Sequence, residues 1–416
     1  MRSANNCSKE MSGFRGFIST IKSAFVILSL LVSQVSFATP PTSTTANRTS
    51  PASLSQAGRI ASTAASLEVE VELVAAAAAG LELIYGRDYR SARSHFSQMD
   101  DTYPGMALEN LGKLLIFQSL MLENFDFRFE TQYETYSSRA LEEIENSLTQ
   151  EGNTKWELFI RGGVLGLESI HLMRKGEYLA SLQRGLDAMN TLERLEVIAP
   201  DFVDLKLGDG LYKYWRSSVA RKSSLIPDGE DERQAGIQII REVEQQAVFV
   251  GPAATLALAA IRMEEAKPRG ALRHIRIFGA EYPSNVINKL LESRMLIRLR
   301  RYEPALAALN SVLEIDTDNH RVHMYRATVL LRTGAIDAAH EAIDTYLNLP
   351  LTDGARATGL HKKGDIYFRS RNYDEAIGQY QAAIDLNNYA PSRRLLVRVQ
   401  SVRERTQETP EALESQ

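Results

Sequence analysis

Apolar residues recur at three- and four-residue spacing along almost the whole chain from Leu54 onward, with polar residues between them. This spacing places apolar side chains on one face of an α-helix, which has 3.6 residues per turn. The strict alternation typical of a half-buried strand is missing from the sequence, and proline is sparse. The pattern therefore predicts an all-α protein.

A repeat of 34 residues organises this helical pattern. Units start at Pro252, Val286 and His320, a fourth starts at Ala357 after three extra residues, and another starts at Leu73. A period of this length is typical of proteins built from stacked helical hairpins.

Three positions of the unit keep their size in all five copies. The eighth residue is small, the twentieth is alanine, and the twenty-fourth is bulky and apolar. In chain order they are Gly80, Ala259, Ser293, Ala327 and Gly364; Ala92, Ala271, Ala305, Ala339 and Ala376; and Phe96, Ile275, Leu309, Ile343 and Tyr380.

These three positions are what a pair of antiparallel helices needs. A small side chain is required where two helices cross at close distance. The bulky residue lies four positions after the alanine, so it shares a helix face with it and fills the adjacent space. One hairpin cannot bury its own apolar stripe, so we expect the units to be stable only when stacked.

The unit from Ala357 to Asn388 resembles the tetratricopeptide repeat family, and the unit from Leu73 to Pro104 is similar to it; residues 252–356 resemble the family more loosely. The proline that the family carries between units is replaced by Thr317 and Asn388. The resemblance implies a right-handed solenoid of α-helical hairpins, whose first helices line an inner surface that binds ligands. The residues of the best unit that match the family's pattern are Gly364, Tyr367, Tyr373, Ala376, Tyr380 and Ala383.

The chain divides into six predicted segments. Residues 57–250 form repeat-like helices, with long degenerate hairpins at about 107–149, 155–198 and 202–249, and residues 251–389 form tandem repeat units. We predict a capping helix at 390–405 and a disordered tail at 406–416. The total is about eight helix pairs between a first and a last helix.

The first 38 residues have the features of an export signal. Arg15 and Lys22 precede an apolar run at 24–35, and Ser36 and Ala38 supply the small residues that a signal peptidase reads. The run is shorter than the roughly 20 residues of a membrane-spanning helix, which favours cleavage over anchoring. We expect no integral membrane span after cleavage, a flexible linker at 39–56, and a location in the periplasm, the cell envelope or outside the cell.

Composition narrows the possible functions. The net charge of −4 gives no reason to expect binding of nucleic acid. The one cysteine, Cys7, precedes the apolar run and would leave with the signal. A mature chain without cysteine has no disulfide, no thiol nucleophile and no cysteine-ligated zinc.

The sequence contains no recognisable catalytic constellation. The seven histidines are scattered, and no zinc-protease or nucleophile-elbow motif is present. Asp201, Asp204 and Asp209 surround a predicted helix start, where carboxylates are either a reactive pair or helix caps. We therefore predict no enzymatic activity, no cofactor and no metal.

Five arginines form the first candidate binding surface. Arg298, Arg332 and Arg369 occupy the thirteenth position of three consecutive units, and the resemblance places Arg294 and Arg321 near the same face. In a stack these side chains would form a basic row for an acidic protein or peptide partner. The alternative is that arginines near helix C-termini only complement the helix dipole.

Aromatic residues of the central region form the second candidate. They would line a groove for an apolar ligand, or they pack in the core between the long hairpins. The residues are Phe125, Phe127, Phe129, Tyr133, Tyr212 and Trp215. From these two surfaces we derive two hypotheses, an exported scaffold or adaptor for a protein partner and a carrier of a small molecule or lipid.

Overall fold

The computed structural model describes residues 55–149, 154–221 and 230–414. These residues contain 18 α-helices and no strand. The prediction of an all-α helical-hairpin solenoid is confirmed for this part of the chain. The predicted signal and all but the last two residues of the linker lie outside the described residues.

The described residues divide into two compact units, and the first comprises those up to residue 122 and those between 127 and 285. A 3₁₀ turn, Val203–Leu205, precedes α8, and α4 ends two residues beyond this unit. The helices of the first unit are α1 Gln56–Leu67, α2 Val71–Tyr85, α3 Tyr89–Thr102, α4 Leu108–Asn124, α5 Glu130–Thr149, α6 Thr154–Lys175, α7 Tyr178–Ile198, α8 Lys206–Ala220, α9 Arg233–Gln246, α10 Gly251–Glu264 and α11 Pro268–Glu281.

The second unit comprises Glu123–Asp126 and the described residues from 286 to 414. Thr352 caps the N-terminus of α16, because its side chain accepts a hydrogen bond from the Ala355 N–H at 3.3 Å. The helices of this unit are α12 Val286–Arg298, α13 Tyr302–Leu313, α14 His320–Thr333, α15 Ile336–Leu347, α16 Asp353–Arg369, α17 Tyr373–Asn387 and α18 Ala390–Glu414.

From α2 to α17 the helices follow one another as antiparallel pairs, so the described residues hold eight pairs between α1 and α18. In the first and last repeat units the small eighth residue lies beneath the bulky twenty-fourth. A Cβ built on Gly80 would lie 2.6 Å from the ring of Phe96, and one on Gly364 would lie 2.7 Å from the ring of Tyr380. The aromatic ring therefore occupies the space that a larger residue would fill, and all residues at the three recurring positions are buried.

The turn inside each repeat unit has a left-handed backbone at the fifteenth position. Glycine adopts this conformation without strain, but only one of the five units has a glycine there. The residues and their φ angles are Arg87 67°, Ala266 53°, Arg300 58°, Gly334 85° and Arg371 67°.

The compact units divide at residue 285, whereas the predicted boundary at 250 separates degenerate from tandem repeat units and stays a prediction. Helices α10 and α11 belong with the first unit, where the Tyr282 hydroxyl donates to Glu82 at 2.7 Å and the Asn285 amide donates to the Tyr85 carbonyl at 2.9 Å. The last helix continues to Glu414, so the segment predicted as a tail is largely helical.

In the part of the chain that the structure describes, no helix is both long enough and apolar enough to span a membrane.

Candidate functional site

An open groove in the second unit brings together basic and apolar side chains. We call it the basic groove; its volume is about 700 Å³. It is formed by the turn after α12, the first residue of α13, the end of α14, the second half of α16 and one residue of α18. The lining residues are Arg300, Tyr302, Leu331, Arg332, Lys362, Asp365, Phe368, Arg369 and Leu395.

The charge of the basic groove is strongly positive. Its acid, Asp365, pairs with the Lys362 ammonium at 2.7 Å and accepts a hydrogen bond from the Tyr380 hydroxyl at 2.9 Å. Within the described residues, the side chains of Arg300, Arg332 and Arg369 have no ion-pair or hydrogen-bond partner. Three guanidinium groups are therefore available to carboxylates, which they bind in bidentate geometry.

The structure brings only two of the five predicted arginines into the basic groove. Arg332 and Arg369 line it, whereas Arg298 is exposed and lies outside the lining. Arg300, two residues later, lines the groove instead because it lies in the left-handed turn after α12. The reasoning from the thirteenth repeat position missed Arg300 and Lys362.

Arg294 and Arg321 both act on a different side chain, Tyr325. Arg321 Nη2 donates to the Tyr325 hydroxyl at 3.0 Å, and the same guanidinium lies 5.4 Å from the ring centroid of Phe125. Burial acts to raise the pKa of Tyr325, but the positive charges of Arg321 and Arg294 lower it overall. These two arginines therefore act on Tyr325, and neither lines the basic groove with Arg332 and Arg369.

The structure does not gather the six predicted aromatic residues into one groove. Phe127 and Tyr133 both contact the ring of His171, at centroid distances of 5.5 and 4.4 Å. Phe129 lies 5.6 Å from Phe117, and Phe125 belongs to the second unit.

The two aromatic residues predicted further along the chain lie on α8. Trp215 is buried beside Tyr214, and the Arg216 guanidinium lies over the ring of Tyr212. They therefore have neighbours of their own and do not extend the cluster around His171.

A small apolar cavity lies elsewhere in the first unit. Trp156, Phe159 and Phe249 line it, with aliphatic residues from α2, α4 and α6, and its volume is about 60 Å³. An engineered cavity that binds benzene is roughly 150 Å³. This cavity is therefore too small for an aromatic ring or a lipid chain.

Asp204 is a structural carboxylate. Its oxygens accept hydrogen bonds from the N–H groups of Val248, Phe249 and Val250, at 3.2, 2.7 and 2.9 Å. Burial raises the pKa of Asp204 to about 6, against the lowering effect of these three hydrogen bonds. Asp204, one of the three aspartates considered from the sequence, therefore joins the start of α8 to the segment before α10.

One cluster has the chemistry of a metal site. Glu130, Glu134 and His171 each offer a ligand atom within 4.8 Å of the others. The Lys175 ammonium lies 2.7 Å from Glu130, 3.8 Å from Glu134 and 3.1 Å from Glu177. A lysine ammonium therefore already forms ion pairs with both carboxylates of this cluster. Sequence reasoning missed the cluster because His171 and Glu130 are 41 residues apart.

Two models of the tetratricopeptide repeat match the chain, at residues 290–356 and 357–390. The matched residues contain the helices α14 to α17 and most of the basic groove. A search of the curated proteins found no match.

Among solved structures, the chain is similar to a thermophilic TPR protein of Thermus thermophilus, with 19% identity over 46% of this chain and 97% of the other, and a TM-score of 0.35. Residues 41 to the end of MamA from Desulfovibrio magneticus RS-1 give 15% identity over 43% and 92%, with a TM-score of 0.31. The TPR domain of P58(IPK) gives 17% identity over 81% and 99%, with a TM-score of 0.27.

Proposed function

Because the chain is a tetratricopeptide repeat protein, we propose that it is an exported adaptor whose basic groove binds an acidic segment of a protein partner. Repeats of this family support a role as a protein-interaction scaffold. The observation that carries the finer proposal is the set of three arginines, Arg300, Arg332 and Arg369, that line the groove without internal partners in the described structure.

The apolar lining of the basic groove narrows the class of partner. Leu331 and Phe368 lie among the arginines, and Tyr302 and Leu395 complete the surface. Carboxylates give orientation and fast association, whereas burial of apolar side chains gives most of the affinity. The segment we expect is a peptide in which Asp or Glu residues alternate with Leu or Phe.

Export and the absence of catalysis are parts of the proposal. The support for export is the basic, apolar and small-residue order of residues 1–38. The support for a binding role is that the exposed charges of the basic groove are arginines, which hold carboxylates but do not exchange protons near neutral pH.

The export proposal predicts that the isolated mature protein begins at Thr39. Signal peptidase would cleave after Ala38, where small residues occupy both recognition positions. N-terminal sequencing of the protein recovered from its envelope fraction tests this. A chain that retains residues 1–38 and stays inside the cell would contradict export.

The carrier hypothesis has less support. Its predicted aromatic groove is divided between separate contacts, and the apolar cavity of about 60 Å³ has no room for a lipid chain. A binding role for the basic groove needs no rearrangement of the core.

We expect the triple variant Arg300→Glu, Arg332→Glu, Arg369→Glu to lose partner binding. Each replacement turns an attractive contact with a carboxylate into a repulsive one, so the combined loss should exceed roughly 100-fold in dissociation constant. The measurement is fluorescence anisotropy with a labelled peptide of alternating Glu and Leu, followed by capture from an envelope extract with the wild-type and variant proteins.

Arg298→Glu is the matched control. It makes the same charge change on α12 outside the basic groove, and we expect binding within about twofold of wild type at moderate salt. Binding by the triple variant that equals that of wild type would contradict the proposed role of the basic groove. So would a loss of binding in Arg298→Glu that equals the loss in the triple variant.

A further inference from the structure

Helix α7 exposes a continuous apolar stripe on the side opposite its buried face. Leu179, Leu182 and Leu186 are 85%, 61% and 48% exposed, and the half-buried Met189 continues the line. We call these four residues the α7 stripe. The buried face, which packs along α6, consists of Ser181, Ala188, Thr191, Leu192 and Leu195.

The spacing of the α7 stripe is that of a helix that pairs with another helix. Its residues follow one another at intervals of three, four and three, which is the order of the core positions of a coiled-coil heptad. Single exposed leucines are ordinary on a protein surface, but a row of several on one helix marks an interaction site.

We propose that two copies of this chain associate through antiparallel packing of their α7 stripes. The stripe is self-complementary in this arrangement about a twofold axis near residue 184. Leu179 then faces Met189 of the second copy, and Leu182 faces Leu186 of the second copy. All four apolar positions of each helix find an apolar partner, as a twofold interface requires.

No charged residue lies within the α7 stripe, which consists of three leucines and a methionine. The exposed residues beside the leucines, Gln183 and Asn190, are uncharged, so no like charges meet at the centre. A partner with an acidic or basic helix would gain less from this surface than a second copy does.

The area is consistent with a reversible dimer. The α7 stripe together with exposed Tyr178 and Val197 presents an area near the upper limit for a monomeric protein, on the order of 500 Å². Two such surfaces cover close to the roughly 1,000 Å² that a specific interface needs. We therefore expect a dissociation constant in the micromolar range.

Sedimentation equilibrium of the full chain tests the dimer. Wild type should be dimeric at about 100 µM, and Leu182→Glu should raise the dissociation constant at least roughly 100-fold, because it buries a carboxylate in the apolar seam. Ile277→Glu is the matched control, because it places the same charge at an exposed isoleucine of α11 and should leave the dimer unchanged.

Spin labels test the register. In a Cys7→Ser background, a spin label at position 183 of one copy should lie close to the label at position 183 of the second copy, across the twofold axis. Labels at position 190 should be about 15 Å further apart along the helix axis, at 1.5 Å per residue. A monomeric wild type, an equal effect of both glutamate variants, or labels at 190 closer than those at 183 would overturn the proposal.

Discussion

Replacing Gly236 by alanine should lower the free energy of unfolding of the first unit by roughly 3 kcal/mol. Gly236 lies on α9 against α8, and a Cβ there would lie 2.5 Å from the Gly210 carbonyl oxygen and 2.9 Å from the Tyr214 nitrogen. Both neighbours are backbone atoms, so no side chain can turn away. The two helices would have to separate along their contact.

The two tryptophans provide the measurement. Trp156 and Trp215 are the only ones in the chain, and both lie in the first unit, Trp215 on α8 itself. Urea unfolding followed by tryptophan fluorescence therefore reports on this unit alone.

Gly163→Ala is the matched control for Gly236→Ala. Gly163 lies within α6, and a Cβ there would have no atom within 4 Å because it would enter the small apolar cavity. The methyl group should raise the unfolding free energy by about 1 kcal/mol through helix propensity. Equal stability of the two variants would show that the α8–α9 contact adjusts without cost.

Asp204→Ala should lower the free energy of unfolding by roughly 4 kcal/mol. The carboxylate is the acceptor for the N–H groups of Val248, Phe249 and Val250, and it is 2% exposed. Alanine leaves these donors buried without that acceptor, and each such loss is costly. The same fluorescence measurement applies, and a loss below about 1 kcal/mol would contradict the structural role of Asp204.

Asp204 also makes stability depend on pH. Its pKa of about 6 in the folded protein lies above the ordinary value of 3.8, so the folded state binds the proton more tightly than the unfolded state. Its contribution to stability is therefore complete below pH 3.8 and is lost as the pH rises through 6. When the pH falls from about 7 to about 5, the free energy of unfolding of wild type should rise by about 1 kcal/mol relative to that of Asp204→Asn. The asparagine keeps an acceptor oxygen but does not titrate. A pH-independent difference between the two proteins would contradict the raised pKa.

The buried positions of the repeat could be predicted from the sequence alone. Ala305 and Leu309 are predicted to share the buried face of one helix, and both are completely buried. The matches to tetratricopeptide models at 290–390 confirm the family that Gly364, Ala376 and Tyr380 indicated. Side-chain sizes at a fixed spacing can be interpreted from the sequence alone, because residues four apart on a helix are always neighbours.

The binding surfaces required the tertiary structure. Arg298 and Arg300 are two residues apart, yet only Arg300 lines the basic groove, because a left-handed turn redirects the chain between them. Phe125 and Phe127 are equally close in sequence, but one lies beneath Arg321 and the other beside His171. Spacing along a helix cannot show in which direction a turn sends the next side chain.

Residue spacing predicts the helices, their pairing into hairpins and the small and bulky residues at each crossing, because helix periodicity relates these residues at short range. The packing of the helices sets which arginines share a groove, places α10 and α11 in the first unit, and leaves a leucine row exposed on α7. These features depend on contacts between residues far apart in the chain, such as Asn285 with Tyr85. Their distances follow from how whole helices pack, which no short stretch of residues specifies.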